Sequence, residues 1–228
     1  MKKVLIAVVV LLAVLAGVIA SRPNTFTVSR SGTMAAPPEI AFAQIADFHK
    51  WDAWSPWSKM DPQMKVTYEG TPGTVGSSYA WKGNDDVGSG KMTITGLTPP
   101  SEVKINLEFQ EPFPSTNETV FTLKPNGANT EVTWTMSGHN SFMSKAFGLF
   151  MDMDKMIGAD FEKGLAAMKT VAEAEAKKAA EAKAAAEAAA AAAAQPATAE
   201  GDAAPGASPA AEGDSAAAPA QVADDTMK

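Results

Sequence analysis

Two histidines and no cysteine set narrow limits on what this chain can catalyse. Without cysteine there is no disulfide, no thiolate metal site and no cysteine nucleophile. His49 and His139 are too few for a histidine metal centre without carboxylate help, so neither a metal nor a cofactor is expected. A hydroxyl nucleophile needs a base beside it. The nearest arrangement is His49, flanked by Asp47 and Asp52; His49 and Asp52 are three apart, a spacing that suits a surface pair or a cap. Asp152 and Asp154 are two apart and fall on different sides of a helix, so they make no paired-carboxylate site. The same stretch places Ile157 where a calcium loop requires glycine, and Gly88-Ser89-Gly90 lacks the third glycine and following helix of a phosphate loop. The candidates for acid–base work on a bound substrate are His49, Glu69, Tyr79 and His139. No catalytic motif joins them.

The residues suited to binding are more numerous. Trp51, Trp54 and Trp57 are three of the chain's five tryptophans and recur at a spacing of three. On a helix that spacing points Trp51 and Trp54 the same way, before Pro56 ends the helix near Ser55. Such a cluster makes a wall, a lid, a docking surface or the plug of a core.

The 228 residues suffice for one ordinary domain with extensions. Lys2 and Lys3 precede an unbroken apolar or small run, Val4 to Ala20, which spans about 26 Å as a helix. Its length favours a retained membrane anchor over a cleaved signal peptide, and the absence of cysteine excludes a lipoprotein. The two lysines then stay in the cytoplasm and everything after Ser21 lies outside it, periplasmic or extracellular. The alternative is secretion after cleavage. Residues 24–170 carry twelve basic and sixteen acidic side chains and no basic stripe, which argues against nucleic acid as a partner.

Phe26 to Ser31 alternates apolar and polar and reads as a first strand. Pro37-Pro38-Glu39 opens a short helix carrying Ile40, Phe42 and Ile45, and the tryptophan segment follows as a second. From Met64 the period is two: Val66–Tyr68, Val75–Trp81, Lys91–Thr95, Val103–Phe109, Phe121–Leu123 and Val132–Met136, separated by turn residues. After Gly138 the period returns to that of a helix. Phe142, Phe147, Phe150, Met153, Ile157, Phe161, Leu165 and Met168 mark one broad face of a long helix rich in methionine, an adaptable residue. Gly158 and Gly164 on it predict close approach by a neighbour. From Val171 to Ala194 alanine, glutamate and lysine predict a solvated helical extension, with Glu173 and Lys177 as a favourable pair. Residues 195–228, acidic and rich in alanine and proline, are expected to be disordered.

The order is strand, two short helices, six strands and one long helix. It predicts an α+β fold in which a curved antiparallel sheet of about seven strands wraps the C-terminal helix. With Pro37-Pro38-Glu39, Trp51-Asp52-Ala53-Trp54-Ser55-Pro56-Trp57, Asp61-Pro62, Tyr79-Ala80-Trp81-Lys82-Gly83-Asn84, Val132-Thr133-Trp134 and the run Met151–Gly158, residues 24–170 resemble a known group. It is the helix-grip (SRPBCC, START-like and Bet v 1-like) superfamily, within it the polyketide cyclase/dehydrase and lipid-transport proteins. That resemblance implies a domain over 24–170, between an anchor at 1–23 and an extension at 171–194, and a small apolar ligand held between sheet and helix. It specifies a scaffold and not a reaction.

The expected lining is Trp51, Trp54, Trp57, Tyr79, Trp81, Phe109, Trp134, Met136, Phe147, Phe150, Met153 and Ile157, with His49, Glu69 and His139 as polar groups. Three functions are in play. The first is a membrane-tethered binding module for a lipid, quinone or polyketide-like molecule. The second is an envelope interaction or structural module with no protein partner identified, and the third a cyclase or dehydratase acting on an apolar substrate.

Overall fold

A computed structural model of the chain describes residues 1–194. The acidic stretch 195–228, expected to be disordered, lies outside the described residues. Helix α1 runs Lys2–Ala20, followed by strand β1 (Thr25–Met34) and helix α2 (Pro38–Ala46). Two short 3-10 turns, Phe48–Ala53 and Trp57–Lys59, carry the tryptophans. Six strands follow: β2 (Lys65–Glu69), β3 (Ser78–Lys82), β4 (Ser89–Thr98), β5 (Glu102–Glu111), β6 (Ser115–Asn126) and β7 (Asn129–His139). Helix α3 (Phe142–Phe147) and the 41-residue helix α4 (Met153–Ala193) complete the described chain.

All seven strands form one antiparallel sheet in the order β1-β7-β6-β5-β4-β3-β2, the curved sheet that the sequence predicts. The register aligns Val28, Met136, Thr119, Ile105 and Ile94 in one row across five strands, and Arg30, Trp134, Phe121 and Val103 in the next. Because side chains alternate between faces, these rows share the inner face. Ser29, Ser31, Thr133 and Thr135 fall on the outer face, where Ser29 and Ser31 pair with Thr135 and Thr133 at 2.8 Å.

Two local expectations change. Strand β3 starts at Ser78 and not at Val75, because Thr74 closes a turn onto Ser77 and Gly76 has φ +91°. The long amphipathic helix is in fact two. Gly148 N–H closes α3 onto the Ser144 carbonyl, and the Phe147 carbonyl accepts from both Phe150 and Met151 at 3.0 Å, a tight end that turns the chain. Asp152 then opens α4 by accepting from the Lys155 amide at 3.2 Å.

Helix α4 crosses the sheet over β1 and β7. Both predicted close approaches occur. A side chain at Gly158 would collide with the Arg30 guanidinium, and one at Gly164 would meet the Trp134 ring at 2.9 Å. Packing on α4 continues to Ala172, and Gln44, itself buried on α2, donates to Glu175 at 2.6 Å. Glu173 accepts from the Ala35 amide at 2.7 Å and pairs with Lys169, not with Lys177. From Lys177 onward every described residue is exposed, with Lys177–Glu181 and Lys183–Glu187 pairs along the helix.

Candidate functional site

The inner face of the sheet divides into a packed half and an open half. In the packed half the tryptophan turn lies against β6 and β7. Trp51 and Trp54 are both buried, their rings 4.6 Å apart, and both meet Phe121 and Trp134 edge-on. Their indole N–H groups donate to the carbonyls of Ile45 (2.9 Å) and Gln44 (3.1 Å). Those carbonyls belong to the last turn of α2, where the helix offers them no partner of its own. The α2 end and the tryptophan turn therefore satisfy one another. Phe161 of α4 stacks on Trp134 at 4.1 Å, and Trp57 closes the edge, 5.7 Å from Trp134. Among the described residues, the side chains of Trp54, Trp134 and Phe161 pack between the sheet and the middle of α4.

Arg30 sits on this same face, beneath α4. It makes a two-pronged bond to Asp154 (3.2 and 3.0 Å) and a further one to Glu162 (2.9 Å), so one cation ties together the first three turns of α4. Hydrogen bonding to Asp154, then to Glu162, raises its already high pKa.

The open half covers β3 to β5. Tyr79, Trp81, Leu107 and Phe109 are half-buried and share the inner face. Tyr79 stacks toward Trp81 at 6.0 Å, and Trp81 meets Phe109 edge-on at 5.9 Å. Gly90 lies between them in the register. A side chain there would strike the Trp81 ring at 2.5 Å, so the glycine makes room for the indole. Trp81 Nε1 donates to the Val87 carbonyl at 3.1 Å, which fixes the ring to the β3–β4 turn. Behind this aromatic floor, Asn117 and Thr119 of β6 are buried polar residues of the same inner face. Thr119 Oγ1 and Trp134 Nε1 are buried with no hydrogen-bond partner among the described residues. Buried polar atoms are almost always bonded, so such atoms call for a reason.

The remaining expected site residues are dispersed. Met136 is buried in the packed half and Ile157 is half-buried on α4. Phe147, Phe150 and Met153 are exposed, because the break at residues 148–152 turns them away from the face shared by Phe161 and Met168. His139 is exposed at the end of β7. Glu69 falls on the outer face, its register partner being Ser78, and holds Lys91 at 3.0 Å; hydrogen bonding and attraction from Lys91 lower its pKa. His49 is exposed, stacks on Tyr68 at 4.0 Å and stands 3.0 Å from Asp47. Tyr79 alone of the four acid–base candidates is half-buried, and burial pushes its pKa up to about 12.

Two hollows stand out among the described residues. One, of about 390 Å³, lies on the outer face between Lys91, Thr93, Thr95, Asn106, Glu108 and Glu118. The other, near Phe48, His49 and Tyr68, measures about 10 Å³, no larger than one water requires. Among the described residues no three acidic or histidine side chains gather as a metal site would. Arg30, Asn117 and Thr119 are absent from the lining expected from the sequence, although strand alternation marks them. Arg30 falls in step with Phe26 and Val28, and Thr119 with Phe121 and Leu123.

Residues 25–173 match the family described as polyketide cyclase/dehydrase and lipid transport. No curated protein matches the sequence. Among solved structures, protein CV1439 from Chromobacterium violaceum is 15% identical with a TM-score of 0.48, over 67% of this chain and 99% of its own. The Aha1 dimer from Colwellia psychrerythraea is 18% identical at 0.48, over 65% and 96%. A major latex-like protein from Panax ginseng is 14% identical at 0.46, over 66% and 99%. Likenesses this distant carry nothing about ligand or partner. The family match spans every strand and the packed part of α4, and the chain belongs to the polyketide cyclase/dehydrase and lipid transport family.

Proposed function

We propose that this chain is a membrane-tethered module that binds a small, mostly apolar molecule with one polar group: a lipid, quinone or polyketide-like compound. Its site is the open half of the inner face, floored by Tyr79, Trp81, Leu107 and Phe109. The observation that carries this reading is Thr119 Oγ1, buried and unpartnered beside that floor. A hydroxyl or carbonyl on the ligand would satisfy it, while the aromatic rings take the apolar body. The ligand does not enter beneath the middle of α4, which Trp54, Trp134 and Phe161 already fill. Helix α1 is long and apolar enough to cross a membrane; retained as an anchor, it holds the domain outside the cytoplasm.

Purifying the full chain from membranes, followed by native mass spectrometry and organic extraction, tests this. A bound mass of defined composition that falls sharply in Thr119→Val supports the site. An empty protein, or a mass that Thr119→Val leaves in place, refutes it.

The filled interior favours a second reading, an interaction or structural role carried by the helix beyond the domain, exposed from Lys177. Cutting after Ala176 removes that helix while sparing Ala172 and the Glu173 and Glu175 contacts. Full function after that cut excludes this role. A cyclase or dehydratase has less support. With a pKa of about 12, Tyr79 serves near neutral pH as a hydrogen-bond donor and not as a base, and the other three candidates are exposed.

A further inference from the structure

If α1 remains in a bilayer, as proposed above, little freedom is left for where the domain sits. Only Ser21 to Asn24 separate α1 from β1, a reach of about 14 Å at most. That link is also tied down. Asn140 donates from its backbone to the Asn24 carbonyl (2.8 Å) and from its side chain to the Pro23 carbonyl (3.1 Å). Lys145 of α3 donates to Asn24 Oδ1 at 2.5 Å. Helix α1 meets the domain at α3, and Ile19 is its one buried residue. The end of the sheet where β1 begins therefore lies at the membrane surface.

That same end carries a cluster of exposed apolar residues. The break between α3 and α4 presents Phe142, Met143, Phe147, Phe150, Met151 and Met156, all more than 40% exposed. Phe113, from the β5–β6 connection, joins them with its ring 5.9 Å from Phe147. Two separate parts of the chain thus converge on one apolar surface. A patch of this kind is uncommon on a protein surface bathed in water and marks an interaction. The two acids within it are internally paired, Asp152 with Lys155 (3.2 Å) and Asp154 with Arg30 (3.0 Å). Neither therefore presents a free negative charge to lipid headgroups. The opposite end of the sheet, at Asn126-Gly127-Ala128, has no such cluster.

We propose that the Phe113 and Phe142–Met156 surface inserts into the interface of the bilayer that holds α1. Phenylalanine and methionine side chains suit the disordered boundary between headgroups and acyl chains, and tethering by α1 holds them against it.

The chain contains no cysteine, so single replacements label one position each. Full chains carrying Phe150→Cys, Ala128→Cys or Val10→Cys are labelled with a polarity-sensitive fluorophore. They are reconstituted in phosphatidylcholine/phosphatidylglycerol vesicles with and without brominated acyl chains. The expected result is a blue-shifted emission and loss of intensity with brominated lipid at positions 10 and 150, and neither at 128. Quenching at 10 without quenching at 150 overturns the proposal and leaves the anchor standing. A probe at 150 that is shielded from water but indifferent to bromination also overturns it, since a second copy or another protein then covers the surface. Absence of lipid quenching at 10 removes the anchor, and the proposal falls with it.

Discussion

Trp134 and Phe150 are both large aromatic residues in helix-grip elements, yet Trp134 is 2% exposed and Phe150 is 86% exposed. The difference lies in what stands opposite each one. Trp134 faces Phe161 across a stacked contact and is edged by Trp51, Trp54 and Trp57, with Gly164 letting the helix come close. Phe150 lies in the break between α3 and α4 and is left exposed. Burial of an apolar side chain requires a complementary surface, and one half of this molecule supplies its own. Around Phe150 the described residues supply no such surface.

The largest expected effect sets these halves against each other directly. Phe161→Ala removes the ring stacked on Trp134 and should cost about 3–5 kcal/mol in urea denaturation, whereas Phe150→Ala should stay within about 0.5 kcal/mol. Equal costs would erase the distinction. A smaller effect is expected at the clamp between them. Gly158→Ala forces the Arg30 guanidinium off Asp154 and Glu162, at a small net cost, because the group that must move is the far end of a flexible side chain and alanine favours the helix by about 1 kcal/mol over glycine. In an Arg30→Ala background the same change should cost much less; an unchanged cost would show that the collision is not with Arg30.

The smallest effect concerns the floor of the open half. Burial, then Tyr68 and Asp52, raise the Tyr79 pKa from its ordinary 10.0 to about 12, so the folded state holds this proton more tightly than the unfolded chain does. The resulting stability is complete below pH 10 and is lost as pH rises from 10 toward 12. Tyr79→Phe should flatten that alkaline decline in thermal melts recorded across the range. If the decline is unaltered, Tyr79 is not shielded as the geometry has it.

Much of the fold was legible because it follows from local period. The alternation of Val103, Ile105, Leu107 and Phe109 and the turn residues between strands require an antiparallel sheet, and Gly158 and Gly164 announced close approaches that the structure contains. The site was legible only in part. Trp51, Trp54 and Trp134 are buried, and they fill the interior between the sheet and α4. Whether a ring lines or plugs a space depends on what packs opposite, which no spacing encodes. Glu69 was misplaced for a related reason: one register position separates the inner row of Tyr68 and Tyr79 from the outer row of Glu69 and Ser78.

By itself the sequence determined the element order, the apolar N-terminal helix and the absence of any cysteine chemistry, since these depend on residue type and neighbours along the chain. Tertiary structure alone decided that Arg30 meets Asp154 and Glu162, that Thr119 has no partner among the described residues, and that Phe113 joins Phe147 at the α1 end of the sheet. Each of these is a contact, or a missing contact, between residues far apart in sequence. Such pairings are set by strand register and helix crossing, and those are consequences of the whole chain packing at once.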